Sequence, residues 1–137
     1  VITLLLEVLA AGGRYLVPRD HVDWLELLRA ADAPPADERG RPLVVRELAP
    51  LLGWPATPPP GRRQALGVAL RRRSVALLVD RVEGLACEAA VAPLPPLLGR
   101  RLAAPWVTGA VAGDPPALVL DLRRIAADVA LGLTDRR

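Results

Sequence analysis

Two carboxylates in this chain stand where an enzyme could use them. Asp80 and Asp121 each follow an apolar strand-like run, VALLV and ALVL, and a pair so placed could serve as general acid and base. The same positions have a simpler chemistry, because a carboxylate where a strand turns accepts backbone N–H groups or caps a helix. The second reading is the stronger, since the groups that would complete a reactive site are missing. His21 is the only histidine, and Ser74, the only serine, lies in an Arg-rich turn without a glycine elbow. Cys87, the only cysteine, is far from His21 in sequence and has no second thiol; it reads as a small, half-buried apolar residue. Asp, Glu and His are sparse, with no HxxxH, CxxC or DxD spacing that would suit a metal. These residue types imply no catalytic site, no metal and no cofactor.

The residues better suited to binding are Arg39-Gly40 and a strip formed by Val82, Gly84 and Leu85. At the first, glycine would let a partner backbone approach closely while Arg39 offers planar, directed donors to a carboxylate or carbonyl. The alternative is that Gly40 permits a positive φ at the start of a strand and Arg39 is simply solvated. At the second, apolar side chains at the end of a hairpin suit a docking surface, or they are buried in the core.

Composition narrows the classes. The chain has 137 residues, 18 arginines and no lysine, 15 prolines, no Phe and no Met, a bias that runs through every segment and reads as the coding preference of a GC-rich genome. The sequence pI of about 10.3 therefore demands no anionic partner, the formal charge being only +3. The arginines cluster at 62–63, 71–73, 100–101 and 123–124, and three of these four fall in expected turns or loops, where solvation is the default. Aromatics are 3% of residues, too few to interleave with bases on a nucleic-acid surface. The start, VITLLLEVLAA, is broken by Glu7 and lacks a basic flank, so it reads as a core strand and not as a signal peptide or membrane span. A single cysteine excludes an intrachain disulfide and suits the cytoplasm. Val1 in place of Met fits either a GTG start or a domain cut from a longer chain.

Val75, Leu77 and Val79 lie on one face of an extended run while Ala76 and Leu78 on the other are also apolar, which predicts a strand covered on both sides. Leu66, Val68 and Leu70 alternate upstream, and the basic turn Arg71 to Ser74 closes a hairpin. Further strands are expected at Ile2 to Leu9, Arg14 to Val17, Leu43 to Val45, Trp106 to Val111 and Ala117 to Leu122. Residues 19 to 28 mix a helical turn with a strand anchored by Val22, Trp24 and Leu27. Glu47 to Gly53 reads as one or two helical turns closed by glycine. Leu122, Ile125, Ala126, Val129 and Leu133 recur at helical spacing with Asp121 as N-cap. Residues 30–38 are loop chemistry, and WPATPPPG is a stiff linker, the expected crossing between two subdomains near 53–63. Short strands, glycine and proline turns and one final helix predict a mostly β fold of small barrels in a single domain spanning 1–137. Leu66, Val68, Leu77, Val79, Leu118 and Leu120 are expected in its core.

Four blocks resemble the CheW-like adaptor domain of bacterial chemotaxis. VALLVDRVEG (75–84) is similar to the family's "gllVDrVegv". GGRYLVPRDHVDWL matches the opening hairpin at Gly13, Pro18 and Val22, and RGRPLVVRELAPLLG matches "RGrplPVvdLrallG" at Arg39, Gly40, Pro42, Leu43, Val45, Leu48 and Gly53. WVTGAVAGDPPALVLDLRRI matches at Gly109, Leu118, Leu120, Asp121, Leu122 and Ile125. The resemblance implies two interlocked, five-stranded SH3-like barrels without a catalytic site, joining the cytoplasmic tips of chemoreceptors to the regulatory domain of a CheA-type histidine kinase. On this reading Arg39, Gly40 and Arg41 contact the receptor and Val82, Gly84 and Leu85 the kinase, with no nucleic acid and no membrane insertion.

The sequence departs from the family in two places. The strand that precedes Arg-Gly is replaced by ADAPPADERG, where Pro34 and Pro35 lack donors, and Val44, Arg46 and Glu47 replace the family's proline, apolar residue and Asp. One barrel is therefore expected to be incomplete. Two alternatives follow: a degenerate module that only tethers or restrains a kinase in a pilus or gliding pathway, or, from another class, an Arg-rich small-barrel RNA binder.

Overall fold

The computed structural model describes residues 2–28, 34–54, 63–90, 106–112 and 117–133. Its strands are β1 (Ile2–Ala10), β2 (Gly13–Pro18), β3 (Trp24–Leu28), β4 (Leu43–Glu47), β5 (Arg63–Ala69), β6 (Ser74–Val79), β7 (Arg81–Ala90), β8 (Val107–Val111) and β9 (Ala117–Leu120). A 3-10 turn at Arg19–His21, a short helix α1 (Leu48–Leu51) and a C-terminal helix α2 (Leu122–Ala130) complete the described elements. The strands form a five-stranded sheet in the order β7-β1-β2-β9-β8 and a four-stranded sheet in the order β3-β5-β6-β4.

Apolar periodicity decides which faces meet. Val75, Leu77 and Val79 of β6 point into a core shared with Leu66 and Val68 of β5, Leu6 and Val8 of β1, and Val17 of β2. Ala76 and Leu78 point the other way and join Ala65 in a smaller cluster behind the four-stranded sheet, while Leu5, Leu16, Ala117 and Val119 form one behind the five-stranded sheet. Each sheet is thus apolar on both faces, as the unbroken run in β6 predicts. Helix α2 sets Leu122, Ile125, Ala126 and Val129 into the shared core and packs on β4, β5 and β6. Its first turn is capped, the Asp121 carboxylate accepting the Arg124 N–H at 3.1 Å. The Trp106 indole donates to Asp128 at 2.7 Å, tying the start of β8 to the same helix.

Several sequence expectations change. The described residues give one sheet of five strands and one of four; the family pattern implies five in each, and the departure at ADAPPADERG leads to the expectation that one barrel is incomplete. Leu27 is 58% exposed, not an anchor: β3 is an outer strand of its sheet, and Val22 just before it is the buried residue. Leu118 is half-buried, whereas the other five expected core residues are fully buried. Leu133 lies beyond the end of α2 and is exposed. In the segment expected to be a loop, residues 34–38 contain only an isolated bridge between Ala36 and Pro42; 29–33, the crossing at 55–62, the connection at 91–105 and the turn at 113–116 lie outside the described residues.

Candidate functional site

The segment around Arg39-Gly40 is built by one carboxylate. Asp37 accepts the backbone N–H groups of Arg39 and Arg41, both at 2.9 Å, through Oδ1, and the Ser74 hydroxyl at 2.7 Å through Oδ2. The Arg41 guanidinium also reaches Oδ2 at 3.0 Å, then donates to the Leu70 carbonyl at 2.7 Å and the Ser74 hydroxyl at 3.4 Å. Arg41 therefore faces inward and bolts the loop to the β5–β6 turn. The Ser74 hydroxyl, the two N–H groups and Arg41 together hold the Asp37 carboxyl well below its ordinary value, at about 2. Gly40 has φ +78°, with open space where a Cβ would stand, so backbone conformation is sufficient reason for a glycine there. The Arg39 side chain is exposed.

Arg39 borders a groove of about 530 Å³, walled on one side by Trp24, Leu25 and Glu26 of β3 and on the other by Pro34 and Leu43. Trp24 lies flat over Gly67 of β5, where a Cβ would come within 2.0 Å of the indole ring. Gly67 thus serves a close approach, and its lack of a side chain fixes one wall of the groove.

Val82 and Gly84 lie on β7, at one edge of the other sheet. Val82 is half-buried against the shared core, and its N–H donates to the Gln64 side chain. Gly84 has φ +120° and sits at an irregularity: Glu7 pairs with Gly84 and Val8 with Val82, leaving Glu83 without a counterpart. Leu85 pairs with Leu6 through its backbone; its side chain and that of Cys87 lie outside the described residues. The sheets keep the two candidate sets apart, Arg39 to Arg41 ahead of β4 in the four-stranded sheet and Val82 to Leu85 in the five-stranded one.

Sequence reasoning missed Arg63. Expected in a turn or loop, it begins β5 and is only 7% exposed, donating through its two terminal nitrogens to Glu47 at the end of β4 and to Asp80 at 2.6 Å. Asp80 accepts the Ala11 N–H at 2.9 Å with its other oxygen and donates its own N–H to Leu9. The carboxylate between β6 and β7 is thus a structural junction, as its position at the end of a strand predicts. The sequence signal that could have found Arg63 is a cation opening a largely apolar strand, which needs a counter-charge within reach once it is buried.

Asp121 is occupied as a cap and lies 3.8 Å from His21 Nδ1. Burial draws the His21 pKa below its ordinary value, against the opposing pull of Asp121. Among the described residues no group of three or more His, Cys, Asp or Glu is placed to hold a metal ion. No described helix is long and apolar enough to cross a membrane.

The fold has a solved counterpart in the scaffolding protein TtCheW from Thermoanaerobacter tengcongensis, with a TM-score of 0.65 and 16% sequence identity over 88% of this chain and 90% of that one. No curated protein sequence gives a significant match. The sequence itself matches the CheW-like domain over residues 6–130, a span that runs from within β1 to the end of α2. By that match, this chain belongs to the CheW-like domain family.

Proposed function

We propose that this chain is a non-enzymatic cytoplasmic adaptor of bacterial chemotaxis-type signalling, which docks a CheA-type histidine kinase regulatory domain and a chemoreceptor tip at the same time. Membership of a scaffold family supports the adaptor role. The observation that carries the two-partner reading is the separation of the candidate surfaces: an exposed Arg39 on a loop braced by Asp37, Arg41 and Ser74, and a β7 strip on the edge of the other sheet. Such an arrangement lets one chain hold two partners without steric conflict. Two interfaces of roughly 800 Å² per side would suffice.

Within this reading Arg39 makes the receptor contact. Gly40 and Arg41, assigned to the same surface by resemblance, brace it from behind, because Arg41 spends its donors inside the chain. The test is Arg39→Glu in reconstituted arrays. An exposed arginine changes stability by less than about 0.5 kcal/mol, so the variant stays folded, keeps kinase affinity and loses receptor-dependent control of kinase activity. Wild-type control by the Arg39 variant would remove the receptor role of this loop.

The inward-facing Arg41 also favours a second reading, in which the family's Arg-Gly block has become purely structural and the protein only tethers or restrains a kinase. That reading expects kinase binding in the wild-type chain with no receptor binding at all.

A further inference from the structure

The Arg63 guanidinium bridges the far end of the strand that follows one candidate region to the residue that precedes the strand carrying the other. Through one nitrogen it holds Glu47, the last residue of the strand that follows the Arg39 loop; through the other it holds Asp80, which immediately precedes β7. The next residue along, Gln64, accepts the N–H of Val82. Asp80 in turn holds the turn between β1 and β2 through Ala11, a residue at φ +51°. Two consecutive side chains of β5 therefore fix how the chain passes from the four-stranded sheet into β7, and one of them fixes the far end of β4 as well.

Arg63 is the buried member of both pairs and its two carboxylates are partly exposed; such a pair adds little stability but specifies geometry, because the desolvation of the guanidinium is repaid only when the partners stay in register. A planar guanidinium shared between two carboxylates makes the two registers interdependent in a way that a single ammonium does not. Resting on the adaptor reading above, we propose that Arg63 is a positioning residue that couples the two docking surfaces. Displacement of β4 by a partner on the Arg39 side changes the Glu47 arm, and Arg63 passes that change through Asp80 to the start of β7. Arg63 itself contacts neither partner.

The test measures the affinity of the full chain for the kinase regulatory domain with and without a saturating receptor-tip fragment, in the wild type and in Glu47→Gln and Arg63→Lys. Glu47→Gln removes the charge of the β4 arm alone and leaves the Arg63–Asp80 pair; Arg63→Lys keeps the charge without the fork. Melting temperatures are taken alongside. The expected result is that both variants bind each partner alone within about twofold of wild type, while the receptor-induced change in kinase affinity, about fivefold or more for a coupled pair of sites, falls to near one. A purely structural role would lower both separate affinities and leave their ratio standing, and that outcome overturns the proposal. So does an undiminished ratio in either variant. A wild-type chain that binds neither partner would instead overturn the adaptor reading on which the proposal rests.

Discussion

Asp37 shows how one side chain can set the shape of a binding loop. Its two oxygens collect the Ser74 hydroxyl, two backbone N–H groups and the Arg41 guanidinium, and these donors hold its pKa at about 2. An unfolded aspartate titrates at about 3.9, so the folded state keeps its proton off more strongly. The stabilisation is complete above the unfolded value and is lost as the pH falls through about 2, below which both states are protonated. We expect Asp37→Asn to melt below wild type at pH 6, and the gap to close as the pH falls from about 4 to about 2. Thermal melts across that range check it; a gap independent of pH would mean that the carboxylate charge does not hold the loop. Little of this was legible in the sequence. Arg39-Gly40 stood out through its punctuation, but Ser74 and Asp37 are separated by 37 positions, and no local spacing announces a bond between them. Arg63 was hidden for the same reason, since its two carboxylates come from other strands.

At the scale of elements, the β5–β6 hairpin and helix α2 were readable because each carries its own signal, alternation in one and 3.6-residue spacing with an Asp cap in the other. Strand β3 departs from expectation at Leu27, because an outer strand has no second neighbour to bury its side chains: Leu27 is 58% exposed, as is Leu25 on the same face at 51%. Strand β7 presents a related problem for experiment. Gly84 at φ +120° cannot be replaced without strain, and a charge at half-buried Val82 would disturb the shared core as well as any docking face. Val82→Thr is the better probe, because it keeps the β-branched shape and the backbone bond to Gln64 while adding one uncharged hydroxyl to a side chain that is only partly buried. We expect a melting temperature within a few degrees of wild type and kinase affinity lower by about tenfold, the loss of more than about 1 kcal/mol that marks an interface hot spot. Unchanged affinity in this folded variant would move the docking surface off β7.

At the scale of the whole molecule, hairpins were foreseeable and sheet order was not. β2 pairs in parallel with β9, and β4 in parallel with β6; the segments between are long, and nothing in a strand's own residues names a distant partner. What the sequence did carry was the consequence of that pairing, namely strands apolar on both faces, which require one shared core and a layer outside each sheet. Because Leu66, Val68, Val75, Leu77 and Val79 from one sheet pack with Leu6, Val8 and Val17 from the other and with α2, neither sheet can lose its partner and keep its own inner face dry. The two should therefore unfold together. Trp24 reports on the four-stranded sheet and Trp106 on the junction of β8 with α2, so single-tryptophan variants followed by fluorescence in urea read the two halves separately. We expect their transitions to coincide with that seen by far-UV circular dichroism. Leu77→Ala, which opens the shared core at a residue with no exposure, should cost about 2–5 kcal/mol and move both signals by the same amount. Two resolved transitions, or a shift confined to the Trp24 signal, would show that the sheets are stable separately and that coupling between their surfaces must run through the Arg63 junction alone.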